Sequence, residues 1–374
     1  MMSFPLEQVN LFCLSKQYLH PRSMGTDVTK VAGDVAGLSA GRAITPFLSL
    51  WARVNNFSPG VLMKALYQEK KLGKIKFVRG NIFILPVDMI EAAVVSTSGQ
   101  PLNKNGTFFS RAAKSHEKGM NCIRGSRKVQ ETVDHKSRII NLLRNASLTI
   151  EQMKKELDIT DNISEIVYEL CDSHVLARGP TTRWYNNKHQ YTTWENWFPE
   201  IGFQMVKKQA RAMLVQSYIK SYGPVSIEDI AWWTGFAKDE TPGILDDISG
   251  GIEEITIDCF EGKFLVTADD FKTLKETKYS SEPVVNFLPS QDNYMVAYRR
   301  RGRQYLRDIY PRIHDRAGNV MATILVNGHV AGAWDIVRGT LEYSIFERIE
   351  NSINSKVEET AVNLSAFLRE NLAQ

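Results

Sequence analysis

The chain has 374 residues, 43% hydrophobic and 24% charged, with a formal net charge of +4. That composition excludes disordered, collagen-like and low-complexity chains, and at roughly 100–200 residues per domain it leaves room for about two to four domains. The longest apolar runs, such as 321–326, fall far short of the ~20 residues of a membrane span, and no signal-peptide pattern opens the chain.

Residues 1–100 predict helices over 6–20, 28–38, 46–54 and 59–69. A strand pair over 74–85 follows, turning at Arg79-Gly80-Asn81. This stretch reads as a degenerate winged-helix-like unit. Residues 101–133 are polar and Lys-rich, a basic linker.

Residues 134–200 predict a helix over 137–145, then a helix capped by Thr149 with Gln152 three residues on. Ile163, Ile166, Val167 and Leu170 give a third helix. A hairpin over 175–191 follows, its turn placed at Gly179-Pro180. Residues 201–280 repeat the order. A helix over 204–222 ends at Gly223-Pro224, Ser226 caps the next with Asp229, a third covers 238–248, and 252–266 forms a hairpin around Glu261-Gly262. Helix, capped helix, turn, helix, hairpin is the winged-helix order. Unrelated helix pairs in an α+β protein are the alternative.

Residues 281–345 change character. Strands are predicted over 283–288, 295–298, 320–326 and 329–337, with a hairpin turn at Asn327-Gly328. Residues 346–374 end in an amphipathic helix over 358–372. The expected fold class is α+β: tandem winged-helix units followed by a small C-terminal β-barrel-like module.

Charge is segregated. Residues 61–79 carry net +5, 104–138 net +6 and 299–316 net +5, whereas 228–261 carry net −9. Basic runs of this size suit a nucleic-acid surface, although they also arise as solvated faces. The second and third units' last helices carry Asp161, Glu165, Glu169, Asp172, Asp239, Glu240, Asp246 and Asp247. Phosphates would repel such helices from a major groove, so scaffold use is favoured over base reading. Positive charge sits instead at 70–79, in the linker, and at Arg299, Arg300, Arg301 and Arg303. The last four are candidate DNA contacts, with pairing to the acidic third unit as the alternative.

Cys13, Cys122, Cys171 and Cys259 are widely spaced, which excludes a disulfide scaffold and common zinc spacings and suits a cytoplasmic setting. The seven histidines form no ligand pattern, and no phosphate-binding or nucleophile-elbow motif occurs. No metal and no cofactor are expected. Trp184, Trp194, Trp197, Tyr185 and Tyr191 cluster near the first hairpin, as base-stacking surface or as core.

Several segments together resemble the AlkZ-like DNA glycosylases over nearly the whole chain. They are Gly37-Leu38-Ser39-Ala40-Gly41 with Leu48-Ser49-Leu50-Trp51-Ala52-Arg53, and Phe77-Val78-Arg79-Gly80-Asn81. Tyr222-Gly223-Pro224-Val225 leads into Asp229-Ile230-Ala231-Trp232-Trp233-Thr234-Gly235. Phe287-Leu288-Pro289-Ser290-Gln291-Asp292 and the stretch from Leu325 to Trp334 complete the set. The resemblance implies winged-helix units and a β-barrel around a concave channel for duplex DNA. It also implies removal of bulky alkylated purines, crosslinked ones included, by a monomer without metal or cofactor.

Cleaving a glycosidic bond builds positive charge on the sugar, so a site must hold a water or carboxylate near the anomeric carbon. The family's motif for this is Gln-apolar-Gln or Gln-apolar-Asp. Here the matching triplet is Ser39-Ala40-Gly41, with one hydroxyl left and no third side chain. The candidate catalytic residues are therefore Ser39, Asp34 and Asp292, and Arg79 is a further DNA-contact candidate. Asp34 as a solvated helix residue and Asp292 as a turn-former are the structural alternatives. A non-catalytic DNA-binding protein on the same scaffold is the second functional reading, and a protein-interaction scaffold the third.

Overall fold

Helix Val28–Asp34 begins on Asp27, whose carboxylate accepts the N–H groups of Thr29 and Lys30. It stops because Ala36 and Gly37 turn left-handed, at φ 53° and 94°, and the Gly37 N–H donates back to the Ala32 carbonyl. A Cβ at Gly37 would meet Leu85 Cδ2 at 2.5 Å, so the position needs glycine twice over. The chain leaves the helix before the triplet and enters a short strand, Leu38–Ser39. The expected helix over 28–38 is thus shorter, and Asp34 and Ser39 lie on different elements.

The computed structural model describes residues 1–98, 125–248, 250–278, 282–299, 309–315 and 319–372. Most of the 101–133 linker therefore lies outside the described residues. Leu38–Ser39 edges a three-stranded antiparallel sheet, with Ile82–Pro86 in the middle and Leu72–Lys76 beyond. Ser39 pairs with Phe83, and Phe83 with Ile75. Alternation puts these three on one face and Leu38, Ile84 and Lys74 on the other. The turn joining the long strands, Val78–Gly80, holds Arg79 left-handed at φ 56°.

The middle of the chain gives the expected order of elements. Helices Gly125–Leu143, Ile150–Glu156 and Ser164–Asp172 precede a hairpin of Leu176–Thr181 and His189–Thr193. The Thr149/Gln152 capping box forms. This unit has a small core of its own, built on Ile139, Leu143, Met153, Ile163 and Val167. Gly179-Pro180 lies inside the first strand, at an irregularity between Arg178 and Thr181, so the turn is not there. Helices Lys207–Tyr222 and Ile227–Thr234 follow, the second on a Ser226/Asp229 capping box. The third helix shrinks to Thr241–Leu245, which lacks a side-chain cap. Strands Ile252–Ile257 and Phe264–Thr267 pair next, and the N-terminal strand Met2–Phe4 joins Ile255–Ile257 in parallel. The largest core runs from Phe4 through Phe77, Tyr218 and Trp233 to Leu288.

The C-terminal module is not a barrel. It is an open antiparallel sheet ordered Thr340–Ile345, His329–Val337, Thr323–Val326, Val285–Leu288. Four strands are too few to close around a filled interior. The terminal helix Asn351–Leu372 instead packs over its edge strand, Val285–Leu288. Phe287, Ile324 and Trp334 join Val357, Leu364 and Phe367 in a core shared with the N-terminal helices. Asn327 and Gly328 make the predicted tight turn with positive φ, 50° and 82°. The strand expected over 295–298 is a helical turn, Asn293–Val296, because the Asp292 carboxylate caps it at the Tyr294 N–H, 3.0 Å.

Candidate active site

A cleft opens beside the sheet face that carries Ser39 and Phe83. Ser39, Gly41, Arg79, Phe83, Trp232 and Gln291 line it. Five segments supply these residues: strand 38–39 with the residues just after it, turn 78–80, strand 82–86, helix 227–234 and the loop before Asp292.

The aromatic wall follows from how helix Ile227–Thr234 is anchored. Trp233 is buried and stacks on Tyr218, ring centroids 4.8 Å apart. Its neighbour Trp232 is half-buried, and the Arg79 guanidinium lies 4.1 Å from the centroid of its ring. Burial lowers the Arg79 pKa to about 10, which leaves it cationic at neutral pH.

Three consecutive residues hold the other wall, each in a different way. Asp292 is fully buried and takes a two-pronged ion pair from Arg53, Nη1 at 2.8 Å and Nη2 at 2.7 Å. The Ser49 hydroxyl donates to the same carboxylate at 2.6 Å. Asn293 reaches the triplet: its Oδ1 accepts the Ser39 N–H at 2.6 Å, and its amide donates to the Gly37 carbonyl. Gln291, 5% exposed, sits left-handed at φ 62° and lines the cleft.

The candidates from the sequence part company here. Ser39 and Arg79 meet in the cleft. Asp34 ends its helix facing Tyr18, which donates to it, and Lys30, at 2.5 Å. Neither Asp34 nor Asp292 lines the cleft, and among the described residues no carboxylate does. Arg299 is exposed, and its backbone N–H donates to Asp229 Oδ1 at 3.0 Å, so the chain there adjoins the acidic third unit. Arg300, Arg301 and Arg303 lie outside the described residues.

The basic run 70–79 is largely engaged within the protein. Lys70 lies over Trp197 at 4.4 Å, Lys71 pairs with Glu69 at 3.0 Å, and Lys76 pairs with Asp172 at 2.8 Å. The aromatic cluster is mostly core: Trp194, Trp197 and Tyr191 are buried, and the Trp184 ring packs on Phe47 while its N–H donates to Asn371 O.

Sequence reasoning missed Gln291, Arg53 and Trp232 as members of this arrangement. Gln291 adjoins Asp292 in the Leu-Pro-x-x-Asp segment, and that adjacency was the available signal.

An α+β chain with a cleft formed across distant segments around a Gly-Leu-x-x-x triplet has a family counterpart. The family model described as DNA glycosylase AlkZ-like matches residues 32–367, and the chain belongs to that family. Among solved structures, the DNA glycosylase AlkZ of Streptomyces sahachiroi is similar, with a TM-score of 0.74 at 17% identity over 98% of each chain. Among curated proteins no sequence match is found. Among the described residues, no helix is long and apolar enough to cross a membrane.

Proposed function

We propose that the chain is a DNA glycosylase that hydrolyses the N-glycosidic bond of an alkylated purine in duplex DNA. One observation carries the reading: residues from the family's triplet segment share a cleft with an aromatic wall and a half-buried cation. The lesion's nucleotide turns out of the duplex, and its base enters between Phe83 and Trp232. Because the cleft is open at its mouth, an adduct that continues toward the opposite strand, as in a crosslink, extends outward.

An N7-alkylpurine is already cationic. Its C1′–N9 bond breaks with the electron pair passing to the base, which leaves neutral. A water oxygen bonds to C1′, and one water proton is released to solvent. The product is an abasic site. Ser39 offers a hydroxyl beside this reaction, and Arg79 offers a charge for the phosphate flanking the flipped nucleotide. The helix-helix-hairpin units act as winged-helix scaffold, with Arg299, Arg300, Arg301, Arg303 and the 104–138 stretch as phosphate contacts.

The missing side chain at Gly41 favours a second reading, a DNA-binding protein without chemistry. Abasic-site formation decides between them, measured as alkali-labile breaks in a duplex with one N7-methylguanine. The glycosylase reading expects breaks above the spontaneous rate with wild type and few with Trp232→Ala. Salt-sensitive binding without breaks supports the second reading.

A further inference from the structure

We infer that Gln291 holds the attacking water, in place of the side chain that Gly41 lacks. The inference rests on the glycosylase reading above and names a group that performs its central step.

Three observations converge on Gln291. It is buried, at 5% exposed, on the wall of the cleft. Its backbone N–H is held by the Val320 carbonyl at 3.3 Å, while the side chain lines the cleft beside Ser39 and Gly41. A Cβ built on Gly41 would lie 3.7 Å from the Gln291 Oε1. The amide oxygen therefore stands next to the space that a side chain at 41 would enter. In the family's motif that third position carries Gln or Asp. Here a glutamine reaches the same place from the opposite wall.

The anchoring explains why residue 291 and not residue 292 does this. Both oxygens of Asp292 are engaged by Arg53, Ser49 and the Tyr294 N–H. Asn293 is tied to the triplet backbone. With the two residues after it fixed, Gln291 is held in a left-handed conformation that a free loop would seldom keep. A glutamine amide oxygen accepts a hydrogen bond and its NH₂ donates. It orients a water by accepting one O–H, which leaves the water's lone pair free to attack C1′. It does not retain the proton, which passes to solvent as the C1′–O bond forms and the C1′–N9 bond breaks.

The test is single-turnover release of N7-methylguanine from duplex DNA at saturating enzyme, with duplex affinity measured alongside. Gln291→Gly suits the left-handed backbone and is expected to fold, as checked by an unchanged melting curve. Its release rate is expected to fall ~100-fold, the scale for one positioned catalytic group, with affinity nearly unchanged. Gly41→Asp placed in the Gln291→Gly background is expected to restore at least about tenfold of that loss. Wild-type release rates in Gln291→Gly would overturn the inference and leave the glycosylase reading standing. No release by wild type would overturn both.

Discussion

Arg53 and Asp292 face each other through two hydrogen bonds of 2.7 and 2.8 Å, and neither side chain is exposed to solvent. The two residues lie 239 positions apart in the chain, so the pair fastens the loop before helical turn 293–296 to the end of helix Thr45–Trp51. A buried pair of this kind adds little over an apolar substitute, but losing one partner strands a buried charge. Arg53→Ala is expected to destabilise the protein by about 3–5 kcal/mol. Urea unfolding measures it. A loss under ~1 kcal/mol would mean that water reaches Asp292 freely.

Burial, with the Arg178 charge adding to it, lowers the Lys74 pKa to about 7 from its ordinary 10.5. The lysine lies 3.2 Å from His189, whose pKa burial lowers to about 3. The unfolded chain keeps Lys74 protonated up to about 10.5, so the folded state is penalised most below pH 7. Lys74→Met is expected to stabilise by roughly 1–3 kcal/mol near neutral pH. The gain should shrink as pH rises from about 7 to about 10.5. His189 acts at the acid end: wild-type stability is expected to fall as pH drops from 6.5 toward about 3, because only the unfolded chain then binds its proton. Thermal melts of both proteins across pH show the two trends.

Arg79 sits over Trp232 with a pKa near 10. Arg79→Ala is expected to slow base release and to reduce the slope of log affinity against log salt by about 1, the share of a single phosphate contact. Wild-type release is expected to hold steady from neutral pH until Arg79 loses its proton near pH 10. An unchanged salt slope would place Arg79 on the base or on Trp232 alone.

Much of this architecture was legible in the sequence for local reasons. Capping at Thr149 and Ser226, the turn at Asn327-Gly328 and the helix ending at Gly223-Pro224 all depend on a few adjacent residues. What escaped depended on distance. Residues 295–298 read as a strand, and the helical turn at 293–296 becomes visible only with the Asp292 cap. The open sheet looked barrel-like because nothing local reveals that helix Asn351–Leu372 covers its edge. Asp292 stood out as a carboxylate, and its partner, Arg53, was hidden 239 positions away. Gln291 carries no charge, and beyond its adjacency to Asp292 only the fold sets it opposite Gly41.

Gly37 is a local feature with a distant consequence. At φ 94°, and 2.5 Å from Leu85 for any added Cβ, it sets the turn into the triplet strand. Gly37→Ala is expected to cost about 1–3 kcal/mol. It should also lower base release beyond the loss of folded protein, because Ser39 would shift. Denaturation curves and release rates on the same samples separate the two effects.

The central claim is that hydrolysis of the N-glycosidic bond occurs in the cleft between Ser39 and Trp232. Gly41→Trp tests it most directly. Gly41 is exposed and has ordinary backbone geometry, with only Gln291 near its missing side chain. An indole there fills the cleft without disturbing the core. The expected result is a folded protein that binds undamaged duplex DNA with the wild-type salt slope and releases no N7-methylguanine. Release at the wild-type rate from that plugged variant would contradict the claim.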